Sequence, residues 1–286
     1  MPELPEVETI RRGLQDYILK KKIKQIDILC EKSFIGQPCV GTVENIRRFG
    51  KALVLDLDNS SSLMIHLRMT GQLIYDGKER YAAGHPSDNF TDHLPNKQTR
   101  VILHFEDGTL FFNDQRKFGF IKIIPTDQVK DEPFIGKLAK EPWKMSPSEF
   151  YQKLQKHPKS CIKAVILDQT VICGLGNIYA DESLFAAGIH PLKKAGLISQ
   201  EEAKLLLEEA RRVMDKSIAS GGSTMATYVR ADGSRGDYLE KFAQVFRREG
   251  KPCLKCGSKI IKIKVAGRGT HICPTCQKDY SKEAHD

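Results

Sequence analysis

Apolar residues recur at Val7, Ile10, Leu14 and Ile18, the spacing of one helical face. Pro5 stands where a first helical turn tolerates a missing N–H, so a helix is predicted from just after it. Prolines 2 and 5 hold the residues before them extended, and the start of the chain is expected to be fixed rather than frayed. From Ile23 to about Ile124 the pattern turns to short strands. Ala52–Leu57 and Arg100–Phe105 run apolar or alternate, and Gly, Asn, Asp and Pro separate such segments. Close-set short strands predict an all-β sandwich. The polar stretch Gly77–Gln98 reads as a long loop.

Past residue 130 the signal becomes helical. Ser146-Pro147-Ser148-Glu149 reads as a capping box opening a helix toward Lys156. Another helix is predicted over Asn177–Ala187, stopped by Gly188, and a third from the Ser199/Glu202 box to Gly221-Gly222. Residues 220–238, with four glycines among polar residues, read as a mobile loop. Ile260–Val265 and Thr270–Cys273 are predicted to pair around Ala266-Gly267-Arg268-Gly269.

The apolar fraction of 40% excludes a wholly disordered chain. No apolar run is long enough to span a bilayer, and no secretory signal pattern opens the chain, so a soluble cytoplasmic protein is expected. Lys plus Arg exceed Asp plus Glu by 45 − 36 = 9. Between Lys241 and Lys282 stand 11 basic and 2 acidic residues, which accounts for the whole excess. Such a tail suits a phosphate backbone, although a solvated surface needs no more than this.

Cys30, Cys39, Cys161 and Cys173 are isolated and read as reduced thiols. Cys253, Cys256, Cys273 and Cys276 form two C-x2-C pairs sixteen residues apart. That spacing lets four thiolates surround one zinc ion, and four sulfur ligands leave no open position, so the metal is expected to be structural.

The opening MPELPEVETIRRGL closely resembles the start of bacterial formamidopyrimidine-DNA glycosylases, the 8-oxoguanine DNA glycosylase and abasic-site lyase family. RRFGKALVLDL, IHLRMTG, QRKFG, GLGNIYADESLFAAGIHP, GGSTMATYV and GRGTHICPTCQ follow in the family's order, so the resemblance covers nearly the whole chain. It implies an α+β fold in three parts. These are an N-terminal helix and β-sandwich (1–133), a helical helix-two-turn-helix domain with a lesion loop (134–238), and a four-cysteine zinc-finger β-hairpin (239–286). It further implies a monomer that excises oxidised purines from double-stranded DNA through a Schiff base on Pro2 and cleaves the strand by β,δ-elimination.

The chemistry of Pro2 can be argued separately. Removal of Met1 would leave a secondary amine, and α-amino groups have pKa values of roughly 7.7–8, well below lysine. A useful fraction is therefore neutral and nucleophilic. Glu3 stands beside it as a proton donor or shuttle. The resemblance makes Glu6 and Glu182 supporting carboxylates. Glu6 alternatively reads as a first-turn carboxylate on the helix dipole, and Glu182 as an ordinary exposed helix residue. Lys51, His66, Asn177 and Arg268 match phosphate-contacting positions, Lys51 and Arg268 assisting catalysis. Lys51 and His66 otherwise read as strand-end residues and Asn177 as a helix cap. Met69, Arg116 and Phe118 match the residues that fill the space left by an extruded nucleotide, against core packing for Met69 and Phe118. Lys163 and the 220–238 loop match parts that approach the lesion. This chain departs from common family members at Gln115, at Gln98-Thr99 and at Cys173. Two rivals remain at this level: a non-enzymatic zinc-ribbon DNA binder, and the endonuclease VIII type that prefers oxidised pyrimidines.

Overall fold

Helix α1 (Leu4–Ile18) forms on the predicted stripe, and Val7, Ile10, Leu14 and Ile18 are all buried in one core with the strands that follow. The structure, a computed structural model, describes residues 2–84, 93–222 and 238–278. The chain divides into two units, Met1–Gly136 with Ile218–Asp237 and Lys137–Ser217 with Tyr238–Asp286.

In the first unit the strands are β1 (Lys22–Ile23), β2 (Gln25–Ile28), β3 (Phe34–Ile35), β4 (Gly41–Phe49), β5 (Ala52–Leu57) and β6 (Ser61–His66). They continue with β7 (Gly71–Gly77), β8 (Arg80–Gly84), β9 (Thr99–His104), β10 (Gly108–Asp114) and β11 (Phe120–Pro125). Among the described residues they make a six-stranded sheet, β1-β4-β5-β6-β11-β3, and a five-stranded sheet, β2-β9-β10-β7-β8. Leu53 and Leu55 from one sheet and Leu73, Val101, Leu110 and Phe112 from the other share a core with α1. The expected sandwich is present, with the apolar stripe of α1 buried in its core. Strand β5 is buried on both faces, because Ala52 and Val54 join a second cluster with Met64, Ile124, Val129 and Ile135. That is why it reads as an apolar run rather than an alternation. Val129 belongs to a 3₁₀ turn, Thr126–Asp131, and Ile135 to the short helix α2 (Pro133–Gly136), which together cover that outer face.

The long loop expected over Gly77–Gln98 is wrong at its start. Strand β8 pairs with β7 in register Tyr75↔Tyr81. Tyr81 makes the strand despite its polar neighbours: its ring stacks on Tyr17 at 5.3 Å and its hydroxyl donates to the Thr9 carbonyl. Residues 85–92 lie outside the described part.

In the second unit the helices are α3 (Pro147–Gln155), α4 (Ile162–Leu167), α5 (Asn177–Ala186), α6 (Gln200–Ala219) and α7 (Tyr238–Phe242). Ser146 caps α3 by accepting from the Glu149 N–H, but Glu149 turns away to Lys140, so only half of the expected box forms. The Ser199/Glu202 box is complete, each side chain accepting from the other's N–H. Helix α4 has no cap or stop signal in the sequence and was not expected. Strands β12 (Ile261–Val265) and β13 (Arg268–Ile272) pair antiparallel. Their turn is only two residues, Ala266 and Gly267, both at positive φ, the geometry that matches strand twist. The predicted second strand therefore starts two residues early, at Arg268. The loop expected at 220–238 falls, from 223 to 237, outside the described residues.

Gly13 tests the packing of α1. Alanine would gain about 1 kcal/mol of helix propensity. An added Cβ, however, would lie 2.2 Å from the Tyr81 hydroxyl oxygen, and that ring is held by Tyr17 and Thr9. Overpacking of this kind costs roughly 1–3 kcal/mol. Gly13→Ala is expected to lower the urea midpoint of unfolding, and a raised midpoint would contradict this packing.

Candidate active site and nucleic-acid interface

Pro2 and Glu3 are both buried at the start of α1. The Glu3 N–H donates to Glu6 Oε2 at 2.8 Å, so Glu6 closes the first turn from inside. Glu6 itself is only 3% exposed. Gly222, at φ +90°, lies against it: a Cβ there would sit 3.5 Å from Glu6 Cγ and Oε1.

Glu8 was missed in the sequence, though Arg11 and Arg12 at helical spacing were its signal. Burial pushes its carboxyl up, but hydrogen bonds from Arg11, Arg12 and Arg48 outweigh this and hold it down at about 2. Arg48 also donates to the Gly50 carbonyl, so this ion cluster ties α1 to the β4–β5 turn that presents Lys51. His66, opposite Ala52 in register, packs against Phe120 and Phe134. Burial first, then the charges of Arg68 and Lys51, depress His66 to about 3. It is a neutral ring, and because Nδ1 accepts from the Arg68 N–H at 3.1 Å its proton belongs on Nε2. Lys51 and His66 are both buried side chains rather than loose strand ends.

Met69 and Phe118 are 38% and 55% exposed, which excludes the core-packing reading for both. Arg116 is exposed beside them, its guanidinium 4.8 Å above the Phe118 ring. Two apolar side chains and a cation thus stand in water at the tips of two turns.

In the second unit, Glu182 is buried, not the exposed helix residue offered as an alternative. It accepts the N–H groups of Gln244, Val245 and Phe246 at 2.8–2.9 Å, and burial pushes its carboxyl up against their pull. Its place is to order the chain entering the cysteine module. Asn177 is not the cap of α5, since Gly176 takes that position. Its Nδ2 donates to the Gly269 carbonyl and holds the hairpin. Arg268 is exposed where β13 begins, with Lys262 and Lys264 on the neighbouring strand. Lys163, expected near the lesion, is fully buried. Its Nζ donates to Asp181 at 2.5 Å and Thr270 at 2.7 Å, so here it clamps α4 to α5 and β13.

The four cysteine sulfurs of Cys253, Cys256, Cys273 and Cys276 lie within 4.8 Å of one another. Two of the separations are 3.9 and 3.4 Å, close to the roughly 3.8 Å edge of a tetrahedron with Zn–S bonds of about 2.3 Å. Lys255 and Cys276 N–H groups point at the sulfurs of Cys253 and Cys273, as thiolates in a metal knuckle require. The donor set fits one structural zinc ion held by these four residues. No helix among the described residues is long and apolar enough to cross a membrane.

Comparison with known proteins agrees with this geometry. The formamidopyrimidine-DNA glycosylase N-terminal domain matches residues 1–121, its H2TH domain 138–229, and the zinc finger found in FPG and IleRS 250–278. The formamidopyrimidine-DNA glycosylase of Desulfitobacterium hafniense is 37% identical, with 97% of this chain and 100% of that protein covered. That of Pelotomaculum thermopropionicum is 39% identical, with 97% and 99% covered. The Lactococcus lactis enzyme bound non-covalently to DNA containing an abasic site is 34% identical over 97% of this chain and 100% of that one, with a TM-score of 0.84. A MutM in complex with DNA containing carbocyclic 8-oxo-G has the same TM-score at 35% identity, covering 97% and 100%.

Two outcomes follow from the site. Below its ordinary pKa of 6.5, His66 takes up a proton in the unfolded chain but not in the folded one until about pH 3. Stability is therefore lost as pH falls through 6.5, by about 2 kcal/mol at this residue between pH 6.5 and 5. Glu8 adds to the loss only below about 4.5. His66→Gln is expected to flatten the decline of urea stability over pH 6.5 to 5; an unaltered slope would contradict a neutral buried ring. Without metal, burial pushes Cys276 up to about 12. Protons then compete with zinc, and acidification should release it, read with a metallochromic dye, together with weakened DNA binding. Full DNA affinity after stoichiometric zinc loss would contradict a structural metal.

Proposed function

Because the chain belongs to the formamidopyrimidine-DNA glycosylase family, we propose that it is a bifunctional glycosylase and abasic-site lyase of base excision repair. It takes 8-oxoguanine and formamidopyrimidines from duplex DNA, with the amine of Pro2 as nucleophile. The observation that carries this reading is the buried Pro2-Glu3 start of α1, closed from inside by Glu6, in a chain matched to the family from its first residue.

With Met1 removed, the neutral fraction of the Pro2 amine attacks the deoxyribose C1′. The bond from C1′ to the base breaks, and its electron pair leaves with the base, which gains a proton. Glu3 protonates the ring oxygen as the C1′–O4′ bond opens, leaving an iminium between C1′ and Pro2. That cation acidifies the C2′ proton. Its removal expels the 3′-phosphate, and a second elimination expels the 5′-phosphate. Lys51, His66, Asn177 and Arg268 hold phosphates, each offering N–H donors to an anion. Extrusion of the nucleotide leaves a gap for Met69 and Phe118 and an unpaired base for Arg116. Zinc holds the hairpin that carries Arg268 and, with four sulfur ligands, takes no substrate.

Incubation with an 8-oxoguanine:cytosine duplex and borohydride is expected to yield a covalent protein–DNA adduct that peptide mapping places on Pro2, and Pro2→Gly should abolish it. Strand nicking without any adduct, or an adduct on a lysine, would overturn the proposal. Faster excision of thymine glycol than of 8-oxoguanine would reassign the substrate while leaving the nucleophile in place.

A further inference from the structure

The turn bearing Met69 and the turn bearing Arg116 and Phe118 come from different strand pairs, yet one carboxylate holds both. Asp114, the last residue of β10, is fully buried. Its Oδ1 accepts from the Thr70 hydroxyl and from the Arg116 N–H at 3.2 Å. Its Oδ2 accepts the N–H groups of Phe118 and Gly119 at 2.8 and 2.7 Å. Four donors fill the acceptor positions of one carboxylate. Thr70 Oγ1 adds a direct link by accepting the Arg116 N–H at 3.0 Å. The Asp114 backbone is fixed in turn, its carbonyl accepting from Arg100 Nε at 2.7 Å and its N–H donating to the Gln98 carbonyl.

Both turns need such a brace. Arg68, beside Met69, has φ +50°, and Lys117, between Arg116 and Phe118, has φ +57°. Left-handed backbone at long side chains persists only where the surroundings impose it. Gly119 shows how close the approach is: a Cβ there would lie 2.8 Å from the Phe112 ring and 3.2 Å from Asp114 Oδ2.

We infer that Asp114 is a positioning residue that sets Met69, Arg116 and Phe118 as one pre-ordered wedge, so that the three enter the duplex together. The inference rests on the proposed function only for what the wedge enters. Disordered tips would have to be fixed at the moment of insertion, and the bracing removes that loss from the step.

Asp114→Asn keeps the size of the side chain but turns an acceptor into a donor facing N–H groups. Thr70→Ala removes only the bridging hydroxyl and serves where the first variant folds poorly by thermal melting. Insertion is read from 2-aminopurine placed opposite 8-oxoguanine in a duplex, alongside single-turnover excision. Chemistry without a wedge is read by borohydride trapping on a single-stranded abasic oligonucleotide. Asp114→Asn is expected to slow insertion and duplex excision on the order of 10- to 100-fold while changing single-strand trapping less than about twofold. Thr70→Ala should act in the same direction, and the double variant should be no worse than Asp114→Asn alone. Wild-type insertion rates in a folded Asp114→Asn or Thr70→Ala protein, or a parallel fall in both assays, would overturn the inference. The 2-aminopurine signal needs no covalent step, so failure of the unaltered enzyme to trap DNA would count against Pro2 alone.

Discussion

The burial of the α1 stripe in the sandwich interior is the constraint on which the rest depends. A chain terminus is ordinarily the first part to fray, and fixing each residue costs about 1–2 kcal/mol of backbone entropy. Val7, Ile10, Leu14 and Ile18 offset this, since a fully buried side chain of that size contributes roughly 1.5–3 kcal/mol. Just before this stripe, Pro2 and Glu3 inherit a fixed place from that packing. A nucleophile at the end of a chain, as proposed for Pro2, can be positioned only if something holds that end, and the packing of α1 does so.

Buried carboxylates are the second device, used in each unit separately. Glu6 closes the first turn of α1, Glu8 joins it to the Lys51 turn through Arg48, and Asp114 braces the two exposed tips. Glu182 collects three N–H groups ahead of the cysteine module, and Asp181 receives both Lys163 and the His271 N–H. Each offsets a cost of burial with order, because a buried carboxylate whose oxygens accept from fixed donors is held in place. Met69, Arg116, Phe118 and Arg268, the groups proposed to meet DNA, stand exposed.

Much of this was legible beforehand, and the misses have physical reasons. The α1 stripe, β5, the Ser199 box and the cysteine pairs are local patterns, and local patterns survive folding. Strand β8 lacks a clear sequence pattern because, beyond its pairing with β7, Tyr81 packs on Tyr17 and Thr9, more than sixty residues away in sequence. Glu182 and Lys163 are charged residues, a class that is ordinarily exposed, and only the tertiary structure shows that both are buried. The exposure of Met69 and Phe118 is the opposite case: periodicity cannot tell a core residue from an exposed one, and their accessibility excludes the core reading. Asp114 lies next to a motif the sequence singled out, but nothing in its spacing announces four donors.

Packing of α1 holds the terminus as firmly as the sandwich itself. Native-state hydrogen exchange at the Glu3 and Val7 amides measures this directly, since one donates to the Glu6 carboxylate and the other to the Glu3 carbonyl. Protection approaching that of the β5 amides is the expected result. Exchange at the rate of an unprotected peptide, in a protein whose β5 amides remain protected, would contradict it.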